Sequence, residues 1–163
     1  HGRAFSDTHL ELPTVDTPIE ELRAHDFAPF RALRDLPMAM TAHVVYSAVD
    51  PHAPATTSEK VIREIVRGEI GFDGLLMSDD TSMKALSGDF PEKAEAILAA
   101  GCDMVLHCNG VMDEMKGIVS KVKPLAGRSL ERAEKALAAV TARDEGVEQA
   151  FRAEFATYFE AVA

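Results

Sequence analysis

The sequence has few cysteines, no cluster of basic residues and no long apolar run, and each shortage excludes a class of protein. Cys102 and Cys108 are too few for the disulfide framework of a small secreted domain, and their spacing fits no zinc motif, so we expect free thiols in a reducing compartment. The formal net charge of −10 argues against nucleic acid or an anionic membrane as a partner. No apolar run approaches the about 18 residues of a membrane span, and no stretch has the pattern of a secretory leader.

Length and composition fit one soluble globular domain. The 163 residues are 47% apolar and 27% charged, and 10 glycines and 8 prolines are too few for a disordered chain. The opening stretch, HGRAFSDTHLELP, is more typical of the middle of a functional loop than of a chain terminus. We therefore expect the chain to belong to a longer polypeptide, or to pack against a second part.

Three continuous apolar runs, at residues 37–46, 74–80 and 103–109, are typical of parallel strands that are covered on both faces. Their alternation with amphipathic helices predicts βαβ units and an α/β fold. In such a fold the ligand site lies beyond the carboxyl ends of the strands. The polar residues at those ends are His43, Ser78, Asp79, Asp80, His107 and Asn109.

Helix ends are also recognisable. Thr56 with Glu59 predicts a capping box for a helix that closes near Gly68–Gly71. Pro91 and Gly101 are typical of the first turn and the stop of the next helix. Apolar residues spaced by three and four predict two more, one from about Ser129 to Val140 and one after Gly146.

The most distinctive stretch is IVRGEIGFDGLLMSDDTS, residues 65–82. An apolar pair and a basic residue precede Glu69, and Gly74 then leads through three apolar residues to Ser78 and Asp79. This order resembles the active-site pattern of the family 3 glycoside hydrolases position for position. In that family the aspartate directly after the Ser or Thr is the catalytic nucleophile, which the resemblance implies for Asp79.

Residues 35–51, DLPMAMTAHVVYSAVDP, are similar to a strand and loop of the bacterial β-N-acetylglucosaminidases of this family that act in peptidoglycan recycling. In that branch a mobile loop, Lys-His-x-Pro-Gly-His-Gly followed by a spacer and Asp-Ser-His, supplies a histidine acid/base with an aspartate beside it. This chain has His1 and Gly2, and then the sequence Asp-Thr-His from Asp7 to His9. The resemblance implies that His9 is the general acid/base and Asp7 its partner.

The chemistry of these residues agrees with the implied roles. A retaining glycosidase needs a nucleophilic carboxylate and a group that transfers a proton. Histidine has an ordinary pKa of about 6.5, so His9 could donate a proton and later take one back, with Asp7 orienting the ring. Asp79 must stay ionised, which hydrogen-bond donors would favour and a close contact with Asp80 would oppose.

Several candidates also have a purely structural explanation. His43 and Ser78 are candidates for substrate contact, but His43 fits a core histidine that stabilises a loop equally well. Asp80 or Thr81 fits a helix N-cap. His107 and Cys108 are expected to line the rim of the site. 

The family's catalytic domain is a (β/α)8 barrel, or close to it, and such TIM-type barrels take about 250 residues. The resemblance therefore implies the C-terminal portion of a barrel, with about three parallel strands and flanking helices, incomplete on its own. We assign residues 1–163 to a single partial domain. Its parts are a catalytic loop (1–20), βα units (21–145) and a C-terminal helix (146–163). Most sugar-binding residues are expected in an N-terminal half that packs against it.

The resemblance implies a cytoplasmic, retaining exo-β-N-acetylglucosaminidase that removes N-acetylglucosamine from 1,6-anhydro-muropeptides through a glycosyl-Asp79 intermediate, without metal or cofactor. Two alternatives stay open. One is a metal-dependent hydrolase with a ligand cage of Asp7, His9, His43, Asp79 and His107. The other is an inactive half-barrel that self-associates.

Overall fold

The computed structural model describes residues 2–140 and 145–160. The strands in these residues are β1 (Thr14–Val15), β2 (Met38–Met40), β3 (Val45–Tyr46), β4 (Leu75–Asp80) and β5 (Met104–Leu106). All pairings are parallel: β1 pairs with β3, and β4 lies between β2 and β5 in a three-stranded sheet. The parallel α/β class is therefore confirmed, and in the described part of the chain the strands do not close into a barrel.

The helices connect the strands and cover them. Their bounds are Ile19–Glu21, Leu22–Asp26, Ala28–Ala32, Ala55–Thr57, Val61–Glu69, Phe90–Ala100, Met112–Val119, Gly127–Ala138 and Glu145–Glu160. Two segments, Leu22–Asp26 and Val61–Glu69, have the wider π-helical turn. None of the helices in the described ranges combines the length and the apolar character that a membrane span requires.

The helix Phe90–Ala100 confirms the predicted signals. Asp89 and Glu92 form a reciprocal capping box at its start, with Pro91 in the first turn. Gly101 ends it with φ of 109°, a left-handed conformation that other residues adopt at a steric cost.

The two C-terminal helices also occur near their predicted positions. Gly127–Ala138 begins two residues before the predicted start at Ser129 and ends before Val140. The helix Glu145–Glu160 follows. Residues 141–144 of the predicted βα units and residues 161–163 of the predicted C-terminal helix lie outside the described residues.

The prediction of one strand over residues 37–46 is wrong. β2 ends at Met40, where Thr41 N–H makes a last bond of 2.9 Å to the Met77 carbonyl, and the chain then turns to bury His43. It resumes as β3 because β1 offers a second pairing partner, which lies inside the segment predicted as a catalytic loop.

The predicted capping box at Thr56 and Glu59 is also wrong. Ser58 Oγ accepts the Val61 N–H at 3.1 Å and caps the helix instead. Thr56 lies in the preceding 3₁₀ turn, and its hydroxyl bonds to two other buried or partly buried side chains.

The two faces of the three-stranded sheet differ in their cover. On one face Leu76 packs in the main core against the flanking helices, together with Ile62 and Ile97. On the other face Leu75 packs against the helix Gly127–Ala138. Farther along that second face the cover ends, and Met40 and Met104, which pair with Met77, are 52% and 39% exposed.

Candidate active site

Ser78, Asp79 and Asp80 lie at the carboxyl end of β4, as the sequence predicts. Ser78 is fully buried, and its Oγ accepts the Leu106 N–H at 2.9 Å, which ties β4 to β5. In this arrangement Ser78 holds the sheet together, and its contact with substrate stays a prediction.

The two adjacent aspartates have different surroundings. Asp80 accepts hydrogen bonds from Ser82 N–H at 3.0 Å, from the Ser82 hydroxyl and from Cys108 N–H at 3.1 Å. Burial acts to raise the pKa of Asp80, but these hydrogen bonds outweigh it and hold the pKa below its ordinary value. Asp80 therefore stabilises the turn that follows β4. The prediction of a helix N-cap at Asp80 or Thr81 is wrong, because the next helix begins at Phe90 and is capped by Asp89.

Asp79 is half-buried, and its Oδ1 accepts the Asp80 backbone N–H at 2.8 Å. Among the described residues no lysine or arginine forms an ion pair with it. Its carboxylate is thus placed by the backbone, with its charge left uncompensated by a basic side chain.

Asp7 and His9 form a compact pair in the loop before β1. Asp7 Oδ1 lies 2.9 Å from the His9 backbone nitrogen and 2.7 Å from His9 Nδ1, and it accepts a hydrogen bond from each. These bonds, the backbone one first, lower the pKa of Asp7. Of the predicted loop signature, His1 lies outside the described residues.

The pKa of His9 is raised, first by its hydrogen bond to Asp7 and then by the charge of Asp7. The charges of Asp79 and Asp80 act on it in the same direction, so the loop lies within electrostatic range of the end of β4. The His9 side chain is 71% exposed. Because Nδ1 is bound to Asp7, Nε2 is the ring atom that can exchange a proton with a ligand.

His43 is fully buried beneath the strand ends. Its Nδ1 lies 2.8 Å from Thr56 Oγ1 and its Nε2 lies 2.9 Å from the Asp80 carbonyl oxygen. Burial lowers the pKa of His43 and outweighs the opposing effect of the hydrogen bond that Nε2 makes to the Asp80 carbonyl oxygen. Both nitrogens are used inside the protein, which fits the core explanation; substrate contact by His43 stays a prediction.

His107 follows β5, and its side chain is only 7% exposed. Its Nδ1 lies 3.1 Å from Thr81 Oγ1, and its ring meets Phe90 edge-on at 5.2 Å between centroids. Its Nε2 lies 3.2 Å from a Glu114 oxygen, in an orientation too poor for a hydrogen bond. Cys108 is exposed, Cys102 is buried, and both are free thiols.

The ligand cage of the metal-dependent alternative is not assembled. Within residues 2–140 and 145–160, no three His, Cys, Asp or Glu side chains come close enough to hold a metal ion. His43 and His107 have protein partners instead.

Two further residues of the site, Thr41 and Thr56, were not predicted from the sequence. Thr41 Oγ1 accepts the Asp79 N–H at 3.3 Å and lies 2.9 Å from Thr56 Oγ1. Thr41 is the first polar residue after β2, so the rule that selected the other strand ends would have found it. Thr56 carried no such signal, because only the fold brings its turn beneath the sheet.

Comparisons with known proteins identify the family and the fold of the chain. The family model described as the glycosyl hydrolase family 3 N-terminal domain matches residues 1–142. The chain is 48% identical to a beta-hexosaminidase of Alkalilimnicola ehrlichii over 113 residues, which are 67% of this chain and 32% of that protein. The chain thus spans about a third of the length of the curated relatives it matches.

Two solved structures are similar in fold. NagZ from Neisseria gonorrhoeae in complex with N-trifluoroacetyl-D-glucosamine gives a TM-score of 0.72 at 36% identity, over 83% of this chain and 39% of that one. Zinc-bound CbsA from Thermotoga neapolitana gives 0.73 at 33% identity, over 88% and 34% of the two chains.

Proposed function

Because the chain belongs to the family of the glycosyl hydrolase family 3 N-terminal domain, we propose that it carries the catalytic edge of a retaining exo-β-N-acetylglucosaminidase. The observation that carries the proposal is the combination of Asp79, a carboxylate at a strand end, with an exposed Asp7–His9 pair in electrostatic range. A retaining glycosidase requires a nucleophile and a proton-transfer group of this kind.

In the first step the Asp79 carboxylate attacks the anomeric carbon, and the bond from that carbon to the leaving oxygen breaks. His9 gives the proton on Nε2 to that oxygen, so the aglycone leaves as a neutral alcohol. Asp7 accepts the Nδ1–H throughout, which holds the ring and favours its charged form before transfer.

In the second step a water attacks the glycosyl-Asp79 ester at the same carbon. His9 Nε2, now without its proton, takes one from the water, and the ester bond to Asp79 breaks. The sugar leaves with its original configuration and both side chains return to their starting states. No step draws on a metal ion or a cofactor.

The proposed substrate is an N-acetylglucosamine-terminated muropeptide with a 1,6-anhydro end, cleaved in the cytoplasm during cell-wall recycling. A complex of a relative with N-trifluoroacetyl-D-glucosamine supports an amide-bearing glucosamine in the site. The two free cysteines agree with a reducing compartment.

The fold of this family is a TIM-barrel-type α/β fold, and we infer that the chain is the C-terminal portion of such a barrel. The exposed Met40 and Met104 support this, because the interior of a barrel is normally filled by side chains from all of its strands. The remaining strands would cover these residues and supply most contacts to the sugar.

The same exposed face supports the alternative of a half-barrel that self-associates without activity. Sedimentation of the 163-residue chain distinguishes the two. The alternative requires a dimer or larger species that resists dilution, while the main proposal requires activity once the rest of a barrel is supplied.

The proposal is tested with 4-nitrophenyl N-acetyl-β-glucosaminide. The chain is assayed alone and joined to the segment of the A. ehrlichii beta-hexosaminidase that precedes the matched region. We expect the joined protein to hydrolyse the substrate, and a fluorinated N-acetylglucosamine analogue to add its mass to the peptide that contains Asp79. A label on another residue, or turnover that a chelator abolishes, would contradict the mechanism.

A further inference from the structure

A buried ring of polar side chains lies directly behind the end of β4. Thr41 Oγ1 lies 2.9 Å from Thr56 Oγ1, which lies 2.8 Å from His43 Nδ1. The ring begins and ends on the backbone of β4. Asp79 N–H donates to Thr41 Oγ1 at 3.3 Å, and His43 Nε2 lies 2.9 Å from the carbonyl oxygen of Asp80.

The chemistry of the partners fixes the direction of every hydrogen bond. A carbonyl oxygen only accepts, so His43 Nε2 carries a proton and donates to Asp80. Burial lowers the pKa of His43, which keeps its imidazole neutral near pH 7 and leaves Nδ1 as an acceptor. The Thr56 hydroxyl must then donate to Nδ1, and the Thr41 hydroxyl must donate to Thr56.

This directed ring clamps the backbone on both sides of the Asp79–Asp80 peptide bond. The N–H of Asp79 donates to Thr41, and the carbonyl of Asp80 accepts from His43. Both of these side chains are fixed in turn by their hydrogen bonds to Thr56. The peptide between them donates its N–H to Asp79 Oδ1 at 2.8 Å. Any rotation of the clamped backbone therefore moves the Asp79 carboxylate.

We propose that Thr41, Thr56 and His43 are positioning residues that aim the Asp79 carboxylate through this hydrogen-bond ring, without touching the substrate. The role rests on the proposed function of Asp79 as the nucleophile. It gives His43 a function that its complete burial allows, since the ring acts through the backbone.

The groups around the hydrogen-bond ring keep His43 in its neutral form. The charges of Asp79 and Asp80 act to raise the pKa of His43 and that of Lys93 acts to lower it, while burial, the largest effect, keeps it low. Behind the ring the thiol of Cys102 lies 3.8 Å from the Thr56 carbonyl oxygen. Its pKa, raised by burial to about 12, keeps this neighbour neutral.

The first test is the tautomer of His43, read by nitrogen NMR on the 163-residue chain and assigned with His43→Gln. We expect hydrogen on Nε2 and an unprotonated Nδ1 whose resonance shifts in Thr56→Val but not in Thr56→Ser. Thr57→Val, one residue farther along, is the matched control and should change nothing. Hydrogen on Nδ1 would overturn the proposal.

The second test is kinetic and uses the joined enzyme described above. Thr56→Val should lower kcat by about 10- to 100-fold, because small displacements of a nucleophile are costly. This kcat is expressed per active site, and the number of active sites is measured by labelling with the fluorinated analogue. KM should stay within about twofold, since the ring does not contact the sugar. Thr56→Ser should restore kcat, and His43→Gln, whose amide can still donate to Asp80, should retain more activity than His43→Ala.

A purely structural role predicts a different result. Thr56→Val would then lower the number of sites that label, with kcat per labelled site unchanged, and that outcome would refute the positioning role. If the wild-type joined enzyme neither turned over nor labelled, the function proposed for Asp79 would fail. The NMR result would still decide whether the ring has the proposed direction.

Discussion

The two ends of the three-stranded sheet both carry buried or half-buried aspartates, but these carboxylates differ in their hydrogen bonds and in their basic partners. At the amino end, Asp103 Oδ2 accepts hydrogen bonds from Arg67 at 2.8 Å and from Leu76 N–H at 2.9 Å. Its Oδ1 accepts from Ser129 at 2.6 Å and from Arg132 at 3.0 Å. Each oxygen of this carboxylate thus accepts two hydrogen bonds, and two guanidinium groups lie next to its charge.

At the carboxyl end, Asp79 has only a backbone donor on Oδ1 and no basic partner among the described residues. A carboxylate whose lone pairs are all engaged contributes to stability and makes a poor nucleophile. A carboxylate that is oriented but left uncompensated can react. The comparison therefore separates, within one sheet, the aspartate that supports the fold from the one proposed to carry the chemistry.

The largest expected effect is on turnover. Asp79→Asn keeps the size of the side chain and removes the nucleophile, so kcat of the joined enzyme should fall by about 1,000-fold or more. The thermal unfolding midpoint should hardly change, because no ion pair in the described residues depends on this charge. A loss of stability comparable to that of an Asp103 variant would contradict the division between the two ends.

The second effect is on stability. Asp103→Asn leaves Arg67, which is only 17% exposed, without its counter-charge, and leaves Arg132, 16% exposed, paired with Asp73 alone. Removing one partner from such a buried pair costs about 3–5 kcal/mol of unfolding free energy, measured by denaturant titration of the 163-residue chain. Asp113→Asn, at a carboxylate that pairs only with Lys116 on the surface, is the matched control and should leave the midpoint unchanged.

The stability that Asp103 contributes has a predicted pH dependence. Burial acts to raise the pKa of Asp103, but the hydrogen bonds from Ser129, Leu76 N–H and Arg132 outweigh it and lower the pKa. A lowered folded-state pKa gives stability that is present above the unfolded value of about 3.9. That stability is lost as the pH falls through the folded-state pKa. The difference between wild type and Asp103→Asn should therefore shrink in acid, and a constant difference would contradict this account.

The two ends also differ in how far the sequence predicts them. The carboxyl end was predicted because its residues follow apolar runs directly, so Asp79 and His107 were selected by position along the chain. The network of Asp103 joins residues 26 to 36 positions apart, and no local pattern announces such pairs. The strand over residues 37–46 was misassigned for a similar reason. Apolar residues lie on both sides of Thr41 and His43, and only the tertiary structure divides them into two strands, because the chain turns to bury His43 and β3 then pairs with β1.

The third effect separates the acid role from the nucleophile. His9→Ala removes the proton donor, so a substrate with a sugar alcohol as leaving group should lose about 100-fold more in kcat/KM than the nitrophenyl substrate, whose leaving group needs little protonation. His52→Ala, in the exposed loop after β3, is the control and should leave both values unchanged. Equal losses for the two substrates in His9→Ala would assign the acid role elsewhere.

The smallest effect concerns Asp7. Asp7→Asn keeps an oxygen that can accept from both His9 nitrogens, but it removes the charge that helps to raise the pKa of His9. A lower pKa means that the protonated acid is lost at lower pH, so the basic limb of the kcat/KM profile should move to lower pH. Asp16→Asn, whose carboxylate bonds to Ser47 instead, should leave the limb in place. If the limb of Asp7→Asn did not move while activity fell, Asp7 would serve only to hold the loop. The carboxyl end would then rely on the charges of Asp79 and Asp80 alone to keep His9 protonated.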